Sequence, residues 1–274
     1  MNHAYRRRTA LTLMELVVVL AVVVALTGIV VAIIPNMIHR ANIASCTATI
    51  SEMDKIIQTY EGLYSEIPNK FDNLVIGNDL ASFVLPGSVG GPSFSAGTLT
   101  TAEAASLSNW GLTDVANLSE NPNTGGDWRP TFWPYSDSQQ TPITFAPVNA
   151  SLKIAVLTKV GADYMGLPTG GAAGPTTGNY KYVIFGMNKP CTLFRNVANE
   201  PPFHFADTKT EDPATFYMPF AVVYMVSRDY NGAQKTMSKA RYMGTVAFHD
   251  FGLATSGSHT KEWWDQLKDE RPYK

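Results

Sequence analysis

Nineteen consecutive uncharged, mostly apolar residues, Leu16 to Ile34, follow a single carboxylate, Glu15, near the start of this 274-residue chain. A helix needs about 20 such residues to cross the hydrocarbon core of a bilayer. An acid at one end of such a run is costly to place there, which marks it as a functional residue. Before it stands M-N-H-A-Y-R-R-R-T-A, with three consecutive arginines and no acid. Arginines on that side predict a cytoplasmic amino terminus, with everything after Pro35 beyond the inner membrane. An ordinary secretory signal fits less well. Its apolar core runs about 7–15 residues and ends in a small-x-small site, whereas P-N-M-I-H-R-A-N follows here.

The order Ala10, Leu11-Thr12-Leu13-Met14-Glu15-Leu16 resembles the leader of type IV prepilins and of the pseudopilins of type II secretion. The family pattern has a glycine before the cut and a phenylalanine after it; here Ala10 and Leu11 hold those places. The resemblance covers about residues 6–74. It implies cleavage between Ala10 and Leu11 by a prepilin peptidase, methylation of the new amino terminus on Leu11, and a subunit-assembly role for Glu15. It also implies an inner-membrane assembly platform and other pilin or pseudopilin subunits as partners. The subunit would be stored as a single-pass protein in the lipid bilayer of a bacterial inner membrane, its carboxy-terminal domain periplasmic, and then drawn into a periplasmic or surface filament. The chemistry is coherent: where apolar helices pack without water, the Glu15 carboxylate needs a cation, and a neighbour's terminal ammonium supplies one. Removing either charge strands the other at a cost of several kcal/mol. The alternative is a membrane-anchored periplasmic binding or enzymatic domain that uses the helix only as a tether.

From Ile43, the residues Ile43, Cys46, Ile50, Met53, Ile57 and Tyr60 recur at spacings of three and four, the stripe of a one-sided helix. One helix is therefore expected from Leu11 to about Tyr64, with a kink near residues 31–35 where Gly28 and Pro35 weaken it. Its acids, Glu52, Asp54 and Glu61, read as the wet face. Pro68 is a plausible stop. The organisation expected is a leader, 1–10; a transmembrane or filament-core helix, 11–35; its amphipathic continuation, 36–66; and a periplasmic globular domain, 67–274, with a loop-rich insertion at 75–142. Within that insertion Thr101 to Leu107 reads as a short helix capped by Thr101, and Trp110, Trp128, Phe132, Trp133 and Tyr135 read as packing under loops. Strands are expected at 152–160, 180–187, 220–227 and 241–249, which are rich in Val, Ile, Tyr and Phe, and a short terminal helix at 260–268. The fold class expected is α+β, pilin-like: a long amino-terminal helix packed on an antiparallel sheet.

Composition narrows function. Net charge is −2, or −5 once the three leader arginines are removed, so no basic footprint for nucleic acid exists. No nucleophile elbow, phosphate loop or H-E-x-x-H occurs, and His204/Asp207 and His249-Asp250 lack a partner motif; neither an enzyme nor a cofactor is expected. The two cysteines, Cys46 and Cys191, are a candidate disulfide in an oxidising compartment; two buried free thiols are the alternative. Asp229-Tyr230-Asn231-Gly232 contains a D-x-N-G fragment, which makes Asp229 and Asn231 weak calcium candidates. No acid follows in Ala233–Thr236, and a plain hairpin turn reads better.

Overall fold

The computed structural model describes residues 13–81, 84, 93–118, 144–170, 177–202 and 219–247, the side chains of residues 26–43 excepted. The chain divides into two compact units, Met1–Ala44 and Ser45–Lys274. Helix α1, Leu13–Tyr64, contributes to both.

In the first unit, every described side chain from Leu13 to Ala25 is exposed. In the second, α1 buries Cys46, Ile50, Met53, Ile57 and Tyr60, and this stripe belongs to the single large core. The remaining elements are strands β1 (Asp72–Asn73), β2 (Val75–Ile76), β3 (Asp79–Leu80) and β4 (Phe94–Thr98), helix α2 (Thr101–Ser108), and strands β5 (Asp114–Asn117), β6 (Phe145–Pro147) and β7 (Lys153–Leu157). Helix α3 (Lys159–Tyr164), strand β8 (Lys181–Gly186), helix α4 (Leu193–Asn196), and strands β9 (Phe220–Tyr230) and β10 (Ala233–Ala247) complete the described chain.

Eight strands form one sheet in the order β10-β9-β8-β1-β5-β6, with β7 also pairing with β8 and β4 with β7. The β2–β3 hairpin stands apart. Strand β9 is buried from Phe220 to Ser227, as its nearly unbroken apolar run requires of a central strand. It turns into β10 through Asn231 (φ 54°) and Gly232 (φ 79°), the two left-handed positions of a type I′ turn. Tyr224 packs edge-on against Tyr242 across this hairpin and also touches Phe71.

Two expectations are corrected. The architecture is not a pilin-like helix on an antiparallel sheet but a mixed α/β arrangement on a large mixed sheet, because β1 runs parallel to β5. A parallel pair needs a long crossover. Residues 74–113 supply it, and their described part carries β2, β3, β4 and α2 rather than bare loop. The single-pass inner-membrane placement is also overturned: among the described residues, no helix is long and apolar enough to cross a membrane. From Ser45 onward α1 is apolar on one face only.

Candidate functional site

The apolar start of α1 is the longest run of exposed large apolar side chains among the described residues. Leu13 is 81% exposed, and Leu16, Val17, Val18, Val19, Leu20, Val22 and Val23 each remain half exposed. Consecutive residues cover all sides of a helix, so this stretch is exposed on every face. Glu15 lies in the first turn of α1, where a negative charge suits the helix dipole. The expected cleavage and methylation positions, Ala10 and Leu11, lie outside the described residues.

Along the second stretch of α1, acids read from sequence as solvent-facing meet the core instead. The Asp54 carboxylate accepts a hydrogen bond from the Thr245 backbone N–H at 3.0 Å and another from the Tyr242 hydroxyl. Burial, with Asp54 beside it, pushes the Tyr242 phenol well above its ordinary range. One turn before the helix ends, the Tyr60 hydroxyl sits 3.2 Å from Thr192 Oγ1. The adjacent Glu61 has a buried Oε1 with no hydrogen-bond partner among the described residues, and the Tyr224 hydroxyl is equally without one. Burial raises the Glu61 carboxyl from 4.5 to about 7. Burial, and then the charges of Glu61 and Cys191, drive the Tyr224 phenol upward. The Cys191 thiol is pushed up by burial, with Asp72 adding to it. Glu61, Tyr224, Cys191 and Asp72 thus form one neighbourhood of polar groups under the end of α1, each disfavouring charge on the next.

A second acid is fully paired. Glu103 is 1% exposed, yet it binds three strands and its own helix. Its carboxylate accepts from Lys181 Nζ at 2.7 Å, Ser227 Oγ at 2.8 Å, Gln234 Nε2 at 3.2 Å and the Thr100 N–H at 2.8 Å. Burial alone would raise this carboxyl, but Lys181, the Thr100 N–H and Ser227 outweigh it and hold it below its usual range. The cap of α2 is Thr100, not Thr101; Thr100 and Glu103 make a reciprocal capping box. The T-x-x-E spacing signals this in the sequence. Glu61, likewise, sits four residues after the core residue Ile57, on the same helix face.

The remaining sequence candidates are not brought together. Cys46 and Cys191 are both buried free thiols. Cys191 neighbours Tyr224, and Thr192 beside it meets Tyr60 at the far end of α1, whereas Cys46 lies about 21 Å back along the helix from Tyr60 at 1.5 Å per residue. A disulfide needs Cα atoms within about 7 Å, so the candidate bridge does not form. The Asp229 carboxylate is engaged by the turn itself: Oδ1 accepts from the Gly232 N–H at 2.9 Å and Oδ2 from Asn179 Nδ2 at 2.5 Å. Asn231 holds a left-handed backbone position in that turn. Among the described residues, no group of three or more His, Cys, Asp or Glu could hold a metal ion. His204, Asp207, His249, Asp250, Trp128, Phe132, Trp133, Tyr135 and the expected helix at 260–268 fall outside the described residues, as do the side chains at the expected kink, 31–35. Comparison with protein-family models, with curated proteins and with solved structures finds no match to this chain.

Proposed function

We propose that this chain is a structural filament subunit of the type IV pilin and pseudopilin kind, assembling through the apolar start of α1. One observation carries the reading: from Leu13 to Val24 a helix exposes large apolar side chains in every direction. Burying such a residue is worth about 1.5–3 kcal/mol, and like helices packed side by side cover all faces of one another at once. Glu15 lies within that stretch, and a bundle of such helices takes its carboxylate out of water. A neighbour's free amino terminus, created by cleavage after Ala10, is the cation that the sequence order provides. The reading rests on the amino-terminal segment and not on the fold of the domain that follows.

Cross-linking and sedimentation of the full chain test it. Wild type should form multimers, Val19→Asp should prevent them, and Glu15→Gln should weaken them. Material from its native cell should begin at Leu11. A wild-type chain as monomeric as Val19→Asp would refute the proposal.

A further inference from the structure

The β2–β3 hairpin, the ends of β5 and β6, and the turn at 149–151 line a cleft of about 460 Å³. That volume falls in the range of small-molecule sites, about 300–1,000 Å³. Four asparagines line it, Asn73, Asn78, Asn117 and Asn149, with Ser151 and Lys153; no carboxylate does.

The amides are of two kinds. Asn73, 4% exposed, spends both ends on the protein: Nδ2 donates to the Lys153 carbonyl at 3.0 Å, and Oδ1 accepts from the Val75 N–H at 3.2 Å. It fixes the wall. Asn149 Oδ1 accepts from Ser151 N and Oγ and from Leu152 N, at 2.9, 2.6 and 3.1 Å. Its orientation is thereby set, and its Nδ2 donors are left over. Asn117 donates through Nδ2 to Thr144 Oγ1 at 3.2 Å, which leaves its Oδ1 as an acceptor. Asn78, at the hairpin tip, and Lys153 Nζ make no hydrogen bond to the described residues. The cleft therefore offers spare amide donors, spare amide acceptors and one ammonium, in walls already held in place.

Alternating donors and acceptors match hydroxyl groups, which need both. A single cation with no acid among the cleft's described lining matches one negative charge; a phosphate, with its higher charge, calls for more. We infer that this cleft binds an acidic saccharide unit, its hydroxyls on Asn78, Asn117 and Asn149 and its carboxylate on Lys153. The inference is independent of the filament reading: a monomeric chain would carry the same cleft.

Galacturonate and galactose share a scaffold and differ at the carboxylate, which makes them the probes. Saturation-transfer NMR on the full chain in a detergent without sugar headgroups should show galacturonate binding in the millimolar range, with galactose about tenfold weaker, the worth of one charge-assisted hydrogen bond. Lys153→Gln should bring the two sugars level. Asn78→Trp, at an exposed hairpin tip, should block the cleft and abolish both signals while circular dichroism stays unchanged. No galacturonate binding, equal binding of the two sugars to wild type, or binding indifferent to Asn78→Trp would each overturn the inference.

Discussion

Glu61→Gln should make the protein more stable above neutral pH and leave it unchanged in acid. The folded carboxyl titrates at about 7 against an ordinary 4.5, so the folded chain holds a proton that the unfolded chain gives up. Stability associated with that proton is complete below pH 4.5, declines as the pH rises through about 7, and is absent above it. One pKa unit corresponds to about 1.4 kcal/mol, which places the upper limit near 3 kcal/mol. Glu61 keeps part of its surface in water, so a discounted loss of about 1–2 kcal/mol is expected. Glutamine is neutral at every pH and similar in shape to the protonated acid. Urea unfolding of the full chain in mild detergent, repeated from pH 4 to pH 9, measures both slopes. Wild type should lose stability across the window between 4.5 and about 7, and the variant should stay flat there. The two should coincide at low pH. Parallel slopes, or a variant less stable than wild type at high pH, would show that Glu61 is not held neutral by its surroundings.

Glu103 predicts the opposite sign. Its carboxyl is held low, so its contribution is present above the ordinary carboxylate range and is lost as pH falls through the lowered value; Glu103→Ala, which strands Lys181 beside two strands, should cost about 3 kcal/mol at neutral pH, and a loss under 1 kcal/mol in denaturant unfolding would contradict that. Denatured but unreduced protein should titrate as two free thiols, and native protein should resist thiol reagents, since Cys46 and Cys191 are buried and unbridged; a disulfide in the intact mass would refute the placement. Gly161→Ala puts a Cβ 2.1 Å from the Ser93 carbonyl oxygen, too close for α3 to stay seated on β4 and β7, and should cost about 1–3 kcal/mol; thermal unfolding at the wild-type temperature would disprove that contact.

The parts of the fold that were legible are those with local signals. The apolar run of β9 and the Asn231-Gly232 dipeptide define a hairpin from adjacent residues alone, and the strands at β7 and β8 announce themselves by composition. The period of three and four from Cys46 to Tyr60 marks the buried stripe of α1. What sequence could not supply was pairing. The parallel contact of Asp72 and Asn73 with Ala116 and Asn117 joins segments more than forty residues apart through two-residue strands, too short to carry a pattern. Low-complexity stretches such as L-P-G-S-V-G-G-P make the 75–142 region read as loop-rich, with only the helix at Thr101–Leu107 legible in it. Strand β4, F-S-A-G-T, hides there because it alternates weakly and becomes a strand only by pairing with all of β7.

The misreading of acids in α1 has a more general cause. A helical stripe is assigned by its apolar members, and every charge between them is given to the solvent face by default. Asp54 and Glu61 each follow a core residue, Ile50 and Ile57, by four positions, one full turn with a small rotation. Their Cβ atoms therefore start on the buried side, and what lies opposite decides their state. Opposite Asp54 stand a tyrosine hydroxyl and a backbone N–H, so it stays a hydrogen-bonded acceptor. Near Glu61 stands Tyr224, whose phenol feels the Glu61 charge but whose hydroxyl has no hydrogen-bond partner among the described residues. An ionised Glu61 there carries the cost of a half-buried charge with no hydrogen bond to offset it, whereas a protonated one does not. The same periodicity thus produces a hydrogen-bonded carboxylate at one turn and a desolvated, proton-holding one two turns later. Only the residues that the sheet brings against the helix distinguish them, and no window of the α1 sequence contains those residues.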